Sequence, residues 1–179
     1  MKSRTPKVLH RLGGRPLLHH VLGLSAQIGA RSVVVVTGHG APEVEASCDR
    51  FALESRGFSL KYARQEPQRG TGHAVQQAVP VLADDGWVLV LSGDVPLTRA
   101  QTLQALLAVG EGGARAHLAL LTVQLSEPTG YGRIVRGEDG AVRAIVEEKD
   151  ATPAQRAIAE VYSGILVAPA RWLKTALAR

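Results

Sequence analysis

Residues 32–40 read SVVVVTGHG, a β-branched apolar run that stops on a glycine turn. A strand with no polar alternation is buried on both faces, as happens when helices pack above and below a sheet. Helical patterns flank this run. Upstream, Leu17, Leu18, Val21, Leu22, Leu24 and Ile28 recur at helical spacing over 16–29, with Pro16 expected in the first turn. Downstream, 42–56 reads as a second helix and SLKYARQ (59–65) as a second strand. GTGHAVQQAVPVL then opens a helix behind Gly70, and WVLVLSGDVPL is another buried strand ending at Gly93-Asp94. Residues 99–109 are helical, with Thr98 as N-cap and Gly110 past the end, and AHLALLTVQL (116–125) is a strand. This alternation predicts an open α/β sheet, mostly parallel.

The texture then changes. YGRIVRGEDGAVRAIVEEK (131–149) is two alternating segments around a glycine turn, which predicts a β-hairpin. TPAQRAIA starts a helix, with Thr152 as cap, Pro153 at the first position and Gln155 completing a capping box. VYSGILVA is a last strand, and PARWLKTALAR is a helix that runs to Arg179 without a capping glycine. No repeat, linker or low-complexity tract interrupts the chain, so residues 1–179 read as one domain.

Composition narrows the function classes. The chain is 45% hydrophobic and 21% charged, which is globular rather than disordered. No run of about 18 apolar residues could span a membrane. Cys48 is the single cysteine, so no internal disulfide framework exists, and a reducing cytoplasm is expected. The net charge is +5 and the pI about 9.8, which suits an anionic partner. Lys2, Arg4, Lys7, Arg11, Arg15 and Arg31 all precede the first acidic residue, Glu43. Such an opening has the composition of a transit peptide, but it also reads well as folded structure. No helix-turn-helix, zinc-finger or RNP pattern is present. With 4% aromatic residues there is little to stack bases on, so a nucleotide or sugar phosphate is expected rather than nucleic acid.

In an open α/β sheet, ligands gather at the carboxyl ends of the strands. Three motifs fall there. In LSGDVPL, Asp94 could hold Mg²⁺ against phosphate oxygens, or it could simply be a turn residue ahead of Pro96. In QEPQRGTGHAVQQA, Gly70 and Gly72 allow close backbone approach at a helix N-terminus, and Gln65 offers a donor and an acceptor to a base edge. The plainer reading is a helix start capped by Thr71, with His73 a packed helix residue and not a base. In the opening stretch, Lys7 lies between Pro6 and Val8, a point charge for a phosphate or a solvated surface lysine. The GHG turn (38–40) is too short to mean much. Metal-spaced His/Cys clusters, a nucleophile elbow, a P-loop and G-x-G-x-x-G are all missing from the sequence.

PKVLH (6–10), GTGHA (70–74), GDVPL (93–97), PTGYGRI (128–134) and IVEEKDAT (145–152) follow one another in order over nearly the whole chain. Together they resemble the uridyltransferase domain of the bacterial bifunctional N-acetylglucosamine-1-phosphate uridyltransferase / glucosamine-1-phosphate acetyltransferase family. The resemblance implies a Rossmann-like nucleotidyltransferase fold, a cytoplasmic enzyme of cell-wall precursor synthesis, and transfer of UMP from UTP to N-acetylglucosamine 1-phosphate with release of pyrophosphate. It implies that Lys7 contacts the nucleotide phosphates, that Gln65 with Gly70 and Thr71 reads the uracil, and that Asp94 binds Mg²⁺. Gly132, Glu147 and the Tyr162 position line the sugar side, and no nucleic acid or membrane is involved.

The departures are specific. Ser92 stands where the family has tyrosine, and Tyr162 where it has asparagine. These leave open a related transferase for another sugar phosphate. In the family, PKVLH is preceded by a central strand and an L-A-A-G-x-G-T-R-M loop, of which Met1 is what remains here. The second metal ligand and the acetyltransferase β-helix, which builds the family's homotrimer, lie beyond Arg179. The expectation is therefore a domain incomplete at both ends, marginal in stability and aggregation-prone. A sugar-nucleotide-binding module without turnover is the alternative of a different class, and a nucleic-acid binder rests only on the pI.

Overall fold

The computed structural model describes residues 5–55, 58–112 and 118–178. Lys2, Arg4, the expected helix end at 56, the strand start at 116–117 and residue 179 lie outside the described residues. A single 3₁₀ turn, Lys7–Leu9, leads into a short hairpin, β1 (Arg11–Leu12) and β2 (Arg15–Pro16). Its turn is Gly13-Gly14, both at positive φ, the conformation a two-residue hairpin requires. Helix α1 (Leu17–Gln27) follows, with Pro16 as its extended N-cap rather than inside its first turn. Strand β3 (Ser32–Thr37), helix α2 (Ala41–Ser55) and strand β4 (Ser59–Arg64) form a βαβ unit, in parallel register from Ser32 opposite Ser59 to Thr37 opposite Arg64.

Helix α3 (Thr71–Ala78), strand β5 (Trp87–Val90), helix α4 (Ala100–Gly112) and strand β6 (Ala119–Gln124) continue the alternation. The expected hairpin is β7 (Arg133–Arg136) with β8 (Val142–Val146). A short helix, α5 (Pro153–Arg156), carries the expected capping box: the Gln155 backbone N–H donates to Thr152 Oγ1, and the Thr152 N–H donates to Gln155 Oε1. Strand β9 (Glu160–Pro169) and helix α6 (Ala170–Leu177) complete the fold.

The α/β architecture matches the sequence reading, but pairing within it is less parallel than the alternation suggested. Among the described pairs only β3/β4 is parallel. The reason is β9, which runs antiparallel between β5 on one edge and β6 on the other, and also takes β7 at Val161. Strands β5 and β6 therefore share a direction without touching. The same holds for β3 and β5. Arg31, just before β3, reaches Gly86, just before β5, and the residues just past both strands meet the Pro6–Val8 segment. Strands β3 to β7 point one way, as the mostly parallel pattern predicted, and β9, together with β8, runs against them.

β3 pairs only with β4, and β5 only with β9, among the described residues. Between these two unpaired edges lies a cavity of about 1120 Å³, lined by Val33–Val36, Val88–Leu91, Leu18, Leu22 and Val75. Helix α1 spans the division. Its Leu18 and Leu22 pack with Val35, Val44, Cys48 and Phe51, while its Leu24 packs with Leu103, Leu106, Ile165 and Val167. Each such fully buried aliphatic side chain contributes about 1.5–3 kcal/mol.

Two glycine and cap positions differ from expectation. Gly110 is inside α4 and buried, not past its end, because α4 lies so close to the sheet that a Cβ there would be 2.9 Å from Val167 Cγ1. Thr98 is not the cap of α4: its hydroxyl donates back to the Val95 carbonyl at 3.5 Å, and the helix starts at Ala100. Gly110→Val is expected to cost about 1–3 kcal/mol in denaturant unfolding by overpacking. Gly112→Ala, whose added methyl would meet no atom within 4 Å, is expected to be tolerated. Because two strand edges stand unpaired, heating the 179-residue chain should produce light scattering and a broad transition. A single sharp reversible transition seen by several probes would contradict this.

Candidate active site

The carboxyl ends of β3, β4 and β5 converge on one side of the cavity. The 3₁₀ turn of Lys7 is wedged between them by close approaches. A Cβ on Gly40, whose φ is +69°, would fall 2.5 Å from Pro6 Cγ, and one on Gly93 would fall 3.4 Å from Val8 Cγ1. This holds Lys7 Nζ 2.6 Å from Asp94 Oδ2, with the lysine 72% and the aspartate 29% exposed. The hydrogen bond to Asp94, and then its charge, raise the Lys7 pKa above the ordinary lysine value, and Tyr131 adds to the same shift. An ammonium and a carboxylate thus sit side by side at the mouth of the cavity, available to phosphate and cation respectively.

Gln65 directly follows β4, and its backbone N–H donates to the Thr37 carbonyl at 2.8 Å, which ties it to the end of β3. It is buried, and its Nε2 donates to the Gly70 carbonyl at 2.9 Å. Gly70 is the N-cap of α3 at φ 94°, so Thr71 is the first helical residue and not the cap. The reason is that only glycine tolerates this backbone at the cap. Gln65, Gly70, Thr71 and Asp94 all line the same cavity. His73, read from sequence as a packed helix residue, contacts Gln65 Nε2 through Nδ1 at 3.0 Å, and the Gln77 amide nitrogen lies 3.2 Å from its Nε2.

A second cluster forms across the hairpin. Arg133 opposite Val146 sets Gly132 beside Glu147, whose Oε1 would lie 3.5 Å from a Cβ on Gly132. The Gly132 carbonyl accepts the Tyr162 backbone N–H at 2.9 Å. The Tyr162 hydroxyl is buried with no hydrogen-bond partner among the described residues, and burial pushes its pKa up to about 12. Its strand is irregular here. Gly164 is at φ 84°, the Ser163 hydroxyl donates to the Leu121 carbonyl at 2.7 Å, and Ser92 Oγ would be 3.1 Å from a Cβ on Gly164. Gly132 therefore stands beside both Glu147 and Tyr162; Tyr131, next to Gly132, acts on the Lys7 charge, and Ser92, two residues before Asp94, stands against Gly164.

Sequence reasoning missed Arg133. Its guanidinium is almost fully buried and pairs with Glu148 Oε2 at 2.7 Å, while also donating to the carbonyls of Tyr131 and Arg156. Glu148 in turn accepts from the Gly130 N–H at 3.3 Å. The loop 130–132 is held from beneath by this pair. The signal in the sequence was an arginine opening a short strand, RIVR, whose inner residues Ile134 and Val135 are apolar. Among the described residues no group of three or more His, Cys, Asp or Glu could hold a metal ion.

The description "MobA-like NTP transferase domain" matches residues 1–164. The chain belongs to this family. Over its full length, this NTP transferase domain is 67% identical to the bifunctional protein GlmU of Acidovorax ebreus (strain TPSY) and spans 37% of that protein. It is 52% identical to the bifunctional protein GlmU of Methylibium petroleiphilum (strain ATCC BAA-1232 / LMG 22953 / PM1) over 99% of this chain and 38% of that one. It thus spans little more than a third of the length of the curated relatives it matches. In three dimensions it resembles UDP-glucose pyrophosphorylase complexed with UDP-glucose, with TM-score 0.75 and 16% identity over 97% of this chain and 71% of that one. A putative glucose-1-phosphate thymidylyltransferase from Bacillus anthracis gives TM-score 0.75 and 17% identity over 96% of this chain and 66% of that one. The shared feature is the nucleotidyltransferase fold.

The Arg133–Glu148 pair generates a pH prediction. The hydrogen bond from Arg133 is the first cause holding the Glu148 carboxyl below its ordinary value of 4.5. A carboxyl depressed on folding stabilises the fold above its unfolded pKa, and this contribution disappears as pH falls through the folded value. Glu148→Gln should lower the thermal midpoint at neutral pH and flatten its fall with acid. Parallel acid limbs for the two proteins would count against the pair as an anchor.

Proposed function

We propose that this domain transfers UMP from UTP to N-acetylglucosamine 1-phosphate, giving UDP-N-acetylglucosamine and pyrophosphate, a cell-wall precursor step in the cytoplasm. The observation that carries the reading is the Lys7–Asp94 pair set at the mouth of the cavity that Gln65, Gly70 and Thr71 line. The likeness to bifunctional GlmU proteins supports the choice of reaction. The lone buried Cys48 suits a reducing compartment. Among the described residues no helix is long and apolar enough to cross a membrane.

In this reading, Gln65 with Gly70 and Thr71 holds the base, and Gly132, Glu147 and Tyr162 hold the sugar. An oxygen of the sugar phosphate attacks the α-phosphorus of UTP. The new P–O bond forms as the bond to the β-phosphate bridging oxygen breaks, and pyrophosphate leaves with that electron pair. No covalent enzyme intermediate is needed. Lys7 neutralises phosphate charge, and catalysis is mainly positioning and electrostatic stabilisation. Asp94, one carboxylate at an exposed mouth, fits Mg²⁺, which favours one or two carboxylates plus substrate phosphates. When bound, the ion would supply charge neutralisation on the phosphates. A homotrimer belongs to the longer protein of which such domains form part.

A second reading keeps the reaction and changes the sugar. The unpartnered Tyr162 hydroxyl favours it, because a bulky side chain stands on the sugar side. Pyrophosphate release from UTP, measured with N-acetylglucosamine 1-phosphate and with glucose 1-phosphate, separates the two. Lys7→Ala and Asp94→Asn are each expected to lower kcat about 10²–10³-fold with the circular dichroism spectrum unchanged. Turnover restricted to glucose 1-phosphate would favour the second reading. Binding of UDP-N-acetylglucosamine without pyrophosphate release would make the domain a sugar-nucleotide-binding module.

A further inference from the structure

Gln65 cannot turn its amide freely. Its backbone is tied to Thr37 at the end of β3, and its side chain is almost wholly enclosed. The Gly70 carbonyl, 2.9 Å from Nε2, can only accept, so it identifies the facing atom as the amide nitrogen. The same nitrogen lies 3.0 Å from His73 Nδ1. An amide NH₂ has two hydrogens and no lone pair to share. One goes to Gly70, and the other to Nδ1, which must then be a lone-pair acceptor. In this hydrogen-bond pattern Nδ1 accepts and the ring N–H is on Nε2. That N–H faces the Gln77 amide nitrogen, 3.2 Å away and one helical turn on, and is satisfied when that amide is rotated so that its oxygen takes the nitrogen's place.

Both Gln65 donors are now used. Its Oε1 accepts from no described donor, and the residue lines the cavity. A glutamine in general could present either sense of its amide to a base edge; this one presents an acceptor. We propose that His73 is a positioning residue which, oriented by Gln77, makes Gln65 an obligate acceptor and so selects a nucleobase that offers a ring N–H, as uracil does, over one that offers a ring lone pair, as cytosine does. This rests on the assignment of Gln65 to the base. The energetic asymmetry is that of an unmade hydrogen bond: cytosine N3 would set a lone pair against Oε1 in a confined site. His73 takes no part in the chemistry at phosphorus.

The test is equilibrium binding of UTP and CTP to the full chain and to variants, with the ratio of the two affinities as the readout. A ratio is insensitive to a variant that merely lowers the folded fraction. His73→Leu removes the acceptor for Gln65 Nε2 and is expected to reduce the UTP/CTP preference about five- to tenfold. His73→Asn, whose amide oxygen can replace Nδ1, is expected to restore most of it. An unchanged ratio in His73→Leu, with Gln65→Leu reducing it, would overturn the role of His73 and leave Gln65 as the base reader. An unchanged ratio in Gln65→Leu as well would overturn the base assignment itself and the proposal with it.

Discussion

The β3–β4 sheet and the sheet built on β9 share no backbone hydrogen bond among the described residues, and everything else in the fold depends on how they are nonetheless joined. Helices make the connection. Helix α1 puts Leu18 and Leu22 into the core of the β3–α2–β4 unit and Leu24 into the core of the other sheet. Helices α3 and α6 join through the side chain of Gln76, which donates to the Leu177 carbonyl at 2.8 Å, and Lys174 ties α6 to the loop before β5 through Leu82 and Asp84. Packing of apolar side chains is non-directional and tolerates a gap between strands, whereas a continuous hydrogen-bonded ladder would not. That is how β3 and β5 can hold a common direction across a cavity about 1120 Å³ in volume.

The candidate site inherits its geometry from this arrangement. Its first cluster draws on both sides of the division: Gln65 from the end of β4, Asp94 from beyond β5, and Lys7 from the turn between them. Each is placed by a backbone constraint, namely the Thr37 carbonyl for Gln65 and the close glycine contacts of Gly40 and Gly93 for the turn. The second cluster depends on β9. Its irregularity at Ser163 and Gly164 lets one strand pair with β6 in two registers and turns Tyr162 into the neighbour of Gly132. Arg133 is the buried cation that keeps the intervening loop in place. Such a charge is stable in the interior because Glu148 and two carbonyls surround it.

Local chemistry was enough to read much of this chain from its sequence. The valine run of β3, the glycine turn between β7 and β8 and the Thr152–Gln155 capping box depend on neighbours a few residues away, and those neighbours are visible in order. So is the shared direction of the strands, because each alternates with a helix. The ordered motifs around Lys7, Gly70, Asp94, Gly132 and Glu147 fall in the two clusters of the candidate site, since loops at strand ends carry their chemistry in short stretches.

Only the tertiary structure decided the rest, and in each case because the partner is remote in sequence. Gly110 reads as a helix stop until Val167 is seen against it. Tyr162 reads as a bulky residue on the sugar side, and only the fold shows its hydroxyl buried without a partner among the described residues. His73 reads as a packed helix residue until its two ring nitrogens are seen between Gln65 and Gln77. The insertion of β9 antiparallel between β5 and β6 could not be read at all, because hydrogen-bond pairing between strands depends on which edges the packed helices leave open. The sequence by itself determined where most strands and helices run, while several of their ends, such as the caps at Thr71 and Thr98 and the glycine at 110, did not read correctly from it. The fold determined who faces whom, because contacts across the sheet are set by global packing rather than by local propensity.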